Sequence, residues 1–493
     1  MKTVNMPPDA ATLMWSTRAI GYTTPAAVAD LIDNSISAEA SVISIEFISG
    51  EDGYVSILDN GKGMDYDALQ NAMKYGSGDP SVERSSTDLG RFGLGLKTAS
   101  LSQCRQLIVV SKKNSSINGF CWDLDYVFKV RQWDLIELEE SEIFKLPQIN
   151  DLLSLNEGTI VIWKNLDKMC AGDEDKEKGF LVRIKEVEAH IAITFHRYLQ
   201  GEPGLKKINI KSNGIDIMPR DPFYISRSDP LPVEKIPIEY TNINGDIIKE
   251  NVYVSPYILP FSDSITQEEL DELGGKDGLI RNQGFYIYRN KRLIVAADWF
   301  RLTRKSDLTK LCRVKVDIPN SLDDLWTIDV KKSMAVPPEI ILRNLRRIIS
   351  PIVKAGKRKY SFRAVEERSN DRGIQLWIPM ETRNGMMYHI NPDYPIVKQL
   401  MQEAPDTKKM KVLLKLLEQN IPVNSIHTDF YDDKKYAFED VDIAYQNAKN
   451  NLIDLLKQVS PEEREEEFND LMTMIPFSEY EIKYSDLEGL IDG

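Results

Sequence analysis

Three stretches near the start of this chain carry residue types and spacings suited to phosphate and ring recognition. The first, Ala26-Ala27-Val28-Ala29-Asp30-Leu31-Ile32-Asp33-Asn34-Ser35, sets a carboxylate at Asp30 and an amide at Asn34 four positions apart, so on a helix they share a face about one turn from each other. The second, Tyr54 to Met64, is a strand pattern that ends in Asp59 and breaks into a turn at Asn60-Gly61, with Gly63 and Met64 following. A carboxylate at a strand's end, backed by glycines that let a flat ring reach the backbone, can read a heterocycle such as adenine. The third is Gly90-Arg91-Phe92-Gly93-Leu94-Gly95-Leu96-Lys97-Thr98. Glycines running into small and apolar residues form a loop that opens a helix, where free N–H groups and the helix dipole bind anions. Gly90 and Gly95 have the spacing of a P-loop, but in that motif the lysine follows the last glycine directly, and here Leu96 intervenes. Taken alone, the glycine stretch is more often a tight turn at a helix start. Preceded by the other two, it reads as the phosphate cradle of a nucleotide site.

The elements that must position these residues are legible around them. Val28, Leu31 and Ile32 recur at helical period and predict a helix over 26–38. Strands are predicted at Val42–Ile48, Tyr54–Leu58, Gln106–Ser111 and Gly158–Trp163, and an N-terminal arm to residue 24 holds a short helix over Ala10–Thr17. The polar, turn-rich run from Tyr75 through Gly76 and Ser77 to Asp88 joins directly to the glycine loop and predicts a lid that is mobile when the site is empty. A helix over Phe180–Leu199 then leads to a second domain, expected to open with the alternating strand Lys207–Gly214. Strand patterns follow at Gly284–Ile294, Leu311–Pro319 and Trp326–Ser333, then a helix at Pro338–Ile349. Beyond residue 350 a basic helix precedes helices through 400–420 and 440–471, whose leucines at Leu413, Leu414, Leu416, Leu417, Leu452, Leu455 and Leu456 predict a core or a dimer seam.

Length and composition narrow the class. At 493 residues the chain is long enough for about three domains. It has no apolar run of membrane-spanning length and no apolar N-terminal leader, which predicts a cytoplasmic protein. Cys104, Cys121, Cys170 and Cys312 lack paired spacing and predict neither disulfides nor a zinc site, and His190 and His196, six apart on the predicted helix, do not share a face. A formal charge of −14 argues against coating nucleic acid everywhere. Basic residues nevertheless gather at Arg301, Arg304, Lys305, Lys310, Arg313 and Lys315, at Arg343, Arg346 and Arg347, and at Lys354, Lys357, Arg358, Lys359 and Arg363, while acids collect at Glu462–Glu467. Each basic cluster is either a solvated face or a surface for DNA.

The ordered set formed by an acid at Asp30, Asp33-Asn34, then Asp59-x-Gly61-x-Gly63, then Gly90-x-x-Gly93-x-Gly95-x-Lys97, closed by Gly158-Thr159, resembles the four-part Bergerat site of GHKL ATPases. That superfamily holds DNA gyrase B, MutL, the heat-shock chaperone, sensor histidine kinases and the MORC proteins. The string Gly284-Phe285-Tyr286-Ile287-Tyr288-Arg289-Asn290-Lys291-Arg292-Leu293-Ile294 resembles the MORC branch, and the chain is most similar to prokaryotic MORC-like and MutL-like members. The resemblance implies an α+β protein: a Bergerat ATP-binding α/β sandwich over 25–175 after an arm at 1–24, a ribosomal-protein-S5-like transducer over 176–350, and a mainly helical region over 351–493 for dimerisation or partner binding.

Residue by residue, the resemblance puts Asp30 at the general-base position, where the family usually has glutamate. The shorter side chain implies a water held closer to the helix, slow hydrolysis, or a role confined to binding. It makes Asn34 the Mg²⁺ ligand and Asp59 the acceptor for the adenine amino group, assisted by Thr159. Gly61, Gly63 and Met64 form the pocket wall, and Gly76 and Ser77 begin the lid. Backbone amides from Gly93 to Thr98 hold the phosphates, within a loop counted from Gly90, Arg91, Phe92, Gly93 and Leu94 to Gly95 and Leu96, with Lys97 as a charge partner. Lys331 or Lys332 is the candidate second-domain lysine for the γ-phosphate. Asp33 is expected to bind a water or cap a neighbour. Two function classes follow. One is an ATP-driven homodimeric clamp on DNA, in defence against foreign DNA beside a helicase or nuclease partner. The other is a chaperone-like clamp on protein. A GHKL protein kinase is disfavoured, because every histidine lies after the ATP module.

Overall fold

The computed structural model of the chain describes the backbone of residues 3, 6, 8–19, 21–76, 95–169, 172, 174–241, 245–260, 265–274, 278–306, 309–323, 325–328, 335–370, 376–382, 385–421, 441–473, 477, 480 and 482–491. Side chains are described for these except at 327–328, 335–336, 355–370, 379–382, 385–387 and 441–444. Ser77, Gly90, Arg91, Phe92, Gly93, Leu94, Lys331, Lys332 and Cys170 therefore lie outside the described residues.

Helices α1 (Ala10–Arg18) and α2 (Thr24–Ser37) lead into the hairpin β1 (Val42–Ile48) and β2 (Tyr54–Asp59). Pro25 in the first turn of α2 needs no N–H partner there, and Thr23 caps the helix by accepting from the Ala26 amide at 3.4 Å. Helices α3 (Tyr66–Met73) and α4 (Gly95–Leu101) flank the segment that holds the predicted lid. The chain continues through β3 (Gln106–Lys113), β4 (Ser116–Asp123), α5 (Leu124–Val130), β5 (Ile136–Glu137), α6 (Glu140–Ile143), α7 (Ile149–Ser154), β6 (Gly158–Lys164), α8 (Lys176–Thr194), α9 (His196–Gln200), β7 (Asn209–Ser212) and β8 (Ile215–Asp216). The eight strands form one mixed sheet in the order β5-β4-β3-β6-β2-β1-β7-β8. Alternation along β3 shows why it is covered on both faces: Leu107 and Val109 join the core under α2, α4 and α8, whereas Ile108 and Val110 join a smaller core with Ile143, Ile149 and Leu152.

The strand expected to open a second domain belongs instead to this first sheet. β7 pairs parallel with β1, with Ile43 opposite Ile210. Its own alternation could not reveal this, because period two fixes a strand's faces and leaves its partner open. The predicted helix at 180–199 is likewise divided at Phe195 into α8 and α9.

A second sheet is built from β9 (Asp229–Pro230), β10 (Glu234–Thr241), β11 (Ile247–Ile258), β12 (Gly284–Arg289), β13 (Arg292–Asp298) and β14 (Cys312–Ile318), in the order β10-β11-β14-β12-β13 with β9 on β11. One face packs against a helix running Glu339–Asn370 through Ile341, Leu345, Ile348, Ile349 and Ile352. The opposite face meets α8 and α9 through buried polar groups. Arg197 bonds Asp317 at 2.5 Å and lies over the Tyr288 ring, and His196 Nε2 stands 2.8 Å from the Tyr288 hydroxyl.

Residues 359–493 form a separate unit. A hairpin of Trp377–Thr382 and Gly385–Ile390 and helices Pro395–Glu403, Thr407–Gln419, Val441–Leu456 and Arg464–Leu471 enclose a small core including Val397, Leu452, Leu456 and Phe468. Leu452 and Leu456 are core residues, as their period predicts, but Leu413, Leu416 and Leu417 remain about half exposed. The whole is an α+β architecture.

Candidate functional site

The site grows from α2. Asp30 faces inward at 2% exposure, and its Oδ2 accepts a hydrogen bond from the Tyr22 hydroxyl at 2.9 Å. A Cβ placed on Gly95 would stand 3.5 Å from the same Oδ2, so the first residue of α4 lies directly against the carboxylate. Asn34, one turn along, is exposed, and its side-chain amide is the kind of oxygen donor a hard cation takes. The next residue ties the helix to the sheet: Ser35 Oγ donates to Asp59 Oδ2 at 2.8 Å. Asp30, Asp59 and Gly95 therefore converge on one helix, by contact in two cases and through a single hydroxyl in the third.

Asp59 is the last residue of β2, and the sheet register surrounds it with polar groups. Thr159 stands opposite it on β6, and Ser111 stands opposite Thr159 on β3, so the three form a row across neighbouring strands. Thr159 Oγ1 and Ser111 Oγ are 2.8 Å apart, and Ser111 Oγ accepts from the Met64 amide at 2.8 Å. Asp59 Oδ1 accepts from the Gly61 amide at 2.9 Å. Burial raises the carboxyl above its ordinary value, while the Gly61 amide and the Ser35 hydroxyl pull the other way. The glycines here are structural necessities. A side chain at Gly61 would meet Ala38 at 2.8 Å, and Gly63, at φ +59°, would drive a Cβ to 2.1 Å from the Lys112 carbonyl.

Around this centre Met64 is half-buried against the main core, Leu96 is partly buried, Thr98 is buried, and Gly76 is exposed with φ +71°. Lys97 follows Leu96 on α4. Its ammonium is buried and donates to the Ala72 carbonyl in the last turn of α3 at 2.8 Å, where a helix C-terminus favours a cation. That bond draws the side chain toward α3, and burial lowers it to about 8. The strands Thr327–Ile328 and Ala335–Val336 pair antiparallel.

Asp33, expected to bind a water or cap a neighbour, pairs with Arg292 of β13, whose Nε stands 3.1 Å from both carboxylate oxygens. The basic clusters divide by the same logic of burial. Arg343, Arg346, Arg347 and Lys354 are exposed on one helix, and Arg301 and Arg304 are exposed as well. Arg313 is fully buried, however, so it adds nothing to a surface, and Lys315 is partly buried with its ammonium over the rings of Phe223 and Tyr257. Sequence reasoning passed over Tyr22, Ser35 and Ser111. Only Ser111 leaves a local signal, a lone hydroxyl ending the apolar run Leu107–Val110.

Residues 22–159 match the family described as histidine kinase-, DNA gyrase B-, and HSP90-like ATPase. The chain thus carries a GHKL ATPase domain spanning α2, both site aspartates and Thr159. Its relatives include MORC ATPases. It is 37% identical over 98 residues to ATPase MORC2B of Mus musculus, covering 19% of this chain and 9% of that protein. It is 30% identical over 94 residues to ATPase morc-1 of Caenorhabditis elegans, covering 19% and 11%, and 31% identical over 113 residues to Protein MICRORCHIDIA 6 of Arabidopsis thaliana, covering 21% and 17%. The similarity therefore spans less than a fifth of each relative's own length. Among the described residues no helix is long and apolar enough to cross a membrane.

Proposed function

We propose that this chain binds and slowly hydrolyses ATP and that ATP joins two copies into a clamp on DNA. The observation that carries this is the meeting of Asp30, Gly95 and, through Ser35, Asp59 on one helix. Asp59 accepts the adenine amino group, with Thr159 beside it, which favours ATP over GTP because guanine presents an acceptor at that position. Asn34, an exposed residue, would hold Mg²⁺ through its amide oxygen. When bound, that ion supplies positive charge over the phosphates. Asp30 takes the proton of the attacking water, and Tyr22 fixes the orientation of its carboxylate. Because aspartate is one methylene shorter than glutamate, the water must lie close to α2, and turnover is slow. The lid from Gly76 and Ser77 to Asp88 closes over the nucleotide, the amides from Gly93 to Thr98 hold its phosphates, and Lys331 or Lys332 reaches the γ-phosphate.

The division at residues 24, 175 and 350 belongs to the same proposal, with β7 and β8 counted to the first sheet. Residues 351–493 serve dimerisation or partner binding. DNA is met by the exposed arginines Arg343, Arg346 and Arg347 with Lys354. The cellular role is cytoplasmic defence against foreign DNA, with strand cleavage or unwinding supplied by a nuclease or helicase partner. Gel filtration of the protein and of Asp30→Ala, with a non-hydrolysable ATP analogue and with or without DNA, tests the clamp. Dimer formation with nucleotide and retention of DNA are expected. A nucleotide-independent elution volume sinks the clamp, and ATPase stimulation by unfolded protein and not by DNA moves the client to protein.

A further inference from the structure

Between Asp30 and Asn34 in sequence, and turned the other way, is Asp33, wholly buried and held by Arg292. The arginine is fixed from several sides. Its guanidinium lies 5.7 Å from the centre of the Phe195 ring at the α8–α9 junction, and its Nη1 donates to the Leu293 carbonyl at 3.0 Å. Arg292 opens β13, so a residue of the second sheet grips the helix that carries the site residues. Stability gives little reason for such a pair, since a buried ion pair is often no better than well-packed apolar residues. What it does provide is direction. Asp33 and Asn34 are adjacent on α2, about a hundred degrees apart around the axis, so fixing one carboxylate fixes the rotation at which the neighbouring amide is presented.

We propose that Arg292, acting through Asp33, is a positioning residue for Asn34 and Asp30, which makes the second sheet part of the ATP site's support. This rests on the ATPase function proposed above. A ligand shell tolerates only about 0.5 Å and 10–20° of error, so loosening α2 affects the cation and the attacking water before it affects the adenine end, which Asp59 anchors to β2.

The test uses the full chain and two variants, Arg292→Lys and the double variant Asp33→Asn/Arg292→Gln, which leaves no lone buried charge. Amide hydrogen exchange of the nucleotide-free protein is expected to accelerate ~10-fold over residues 30–37, with β3 and β6 unchanged. The Mg²⁺ concentration for half-maximal ATP turnover is expected to rise ~10-fold and kcat to fall ~10–100-fold, the scale of lost support behind a metal ligand. KM for ATP stays within about threefold of the parent's, and Arg292→Lys gives intermediate values. Circular dichroism confirms folding, and Arg292→Lys decides alone if the double variant does not fold. A folded variant with parental exchange over α2 and parental Mg²⁺ dependence overturns the positioning role alone. A parent without Mg²⁺-dependent turnover overturns it together with the ATPase function.

Discussion

Asp33 and Asp59 are both buried carboxylates that join α2 to a sheet, Asp33 to the second and Asp59 to the first, and they are held in opposite ways. Asp33 has a guanidinium with its Nε 3.1 Å from each oxygen. Asp59 has a hydroxyl and a backbone amide, from Ser35 and Gly61, and burial raises its carboxyl. An arginine satisfies a carboxylate's charge and fixes the elements that carry the two groups. A hydroxyl and an amide leave the charge only partly compensated, and a ligand's donor can improve on that. The first arrangement locks the fold and the second keeps a place open, although in sequence both are single aspartates beside an asparagine.

The largest effect is expected at the third buried carboxylate of this region. Asp30→Asn should lower kcat by ~10²–10⁴, the scale of general acid–base catalysis, with nucleotide affinity nearly unchanged. Single-turnover kinetics beside equilibrium binding measure both, and intact hydrolysis would leave Asp30 a binding residue only. Next, Asp33→Ala leaves Arg292 buried without its carboxylate and should cost ~3–5 kcal/mol in denaturant unfolding. A parental midpoint would erase the contrast with Asp59.

Asp59→Asn should do the reverse. Its nucleotide affinity should fall by ~10² or more in calorimetric titration, while stability at pH 7 holds or rises. The sign follows from the raised carboxyl. The folded chain binds this proton more tightly than the unfolded chain, so Asp59 costs stability as pH climbs from the ordinary 3.8 through the raised value, and the amide variant is spared that cost.

At the junction of the two sheets the pH dependence should run the other way. Burial lowers His196 from 6.5 to about 3, so its contribution is complete above pH 6.5 and is lost as the pH falls toward the folded value. The slope is at most about 1.4 kcal/mol per pH unit. Urea unfolding of the parent and of His196→Gln between pH 7 and 5 should show a shallower decline in the variant. The smallest effect is expected for Ser111→Ala, which removes the hydroxyl between Thr159 and the Met64 amide and should cost about 1 kcal/mol. If affinity for nucleotide is untouched, the polar row serves only the sheet.

Much of the site was readable because its signals are local. The α2 period, the strand ending at Asp59 and the glycines at Gly61 and Gly63 each depend on a few neighbouring residues, and the structure puts all of them where those patterns require. The Ala72 partner of Lys97 was not legible, because a lysine after a glycine loop looks identical whatever carbonyl or anion it meets. Arg313 misled because charge in a strand says nothing about which face is covered.

The sequence by itself determined the helix, the strand-end carboxylate and the turns between them, since φ/ψ preferences and apolar period act over a few residues. Only the tertiary structure decided that β7 joins the first sheet beside β1, that Ser111 joins Thr159 in a row with Asp59, and that Arg292 reaches Asp33 from 259 residues away. Those contacts depend on which surfaces meet when apolar faces are buried together, a choice made by the whole chain at once and recorded in no single stretch of it.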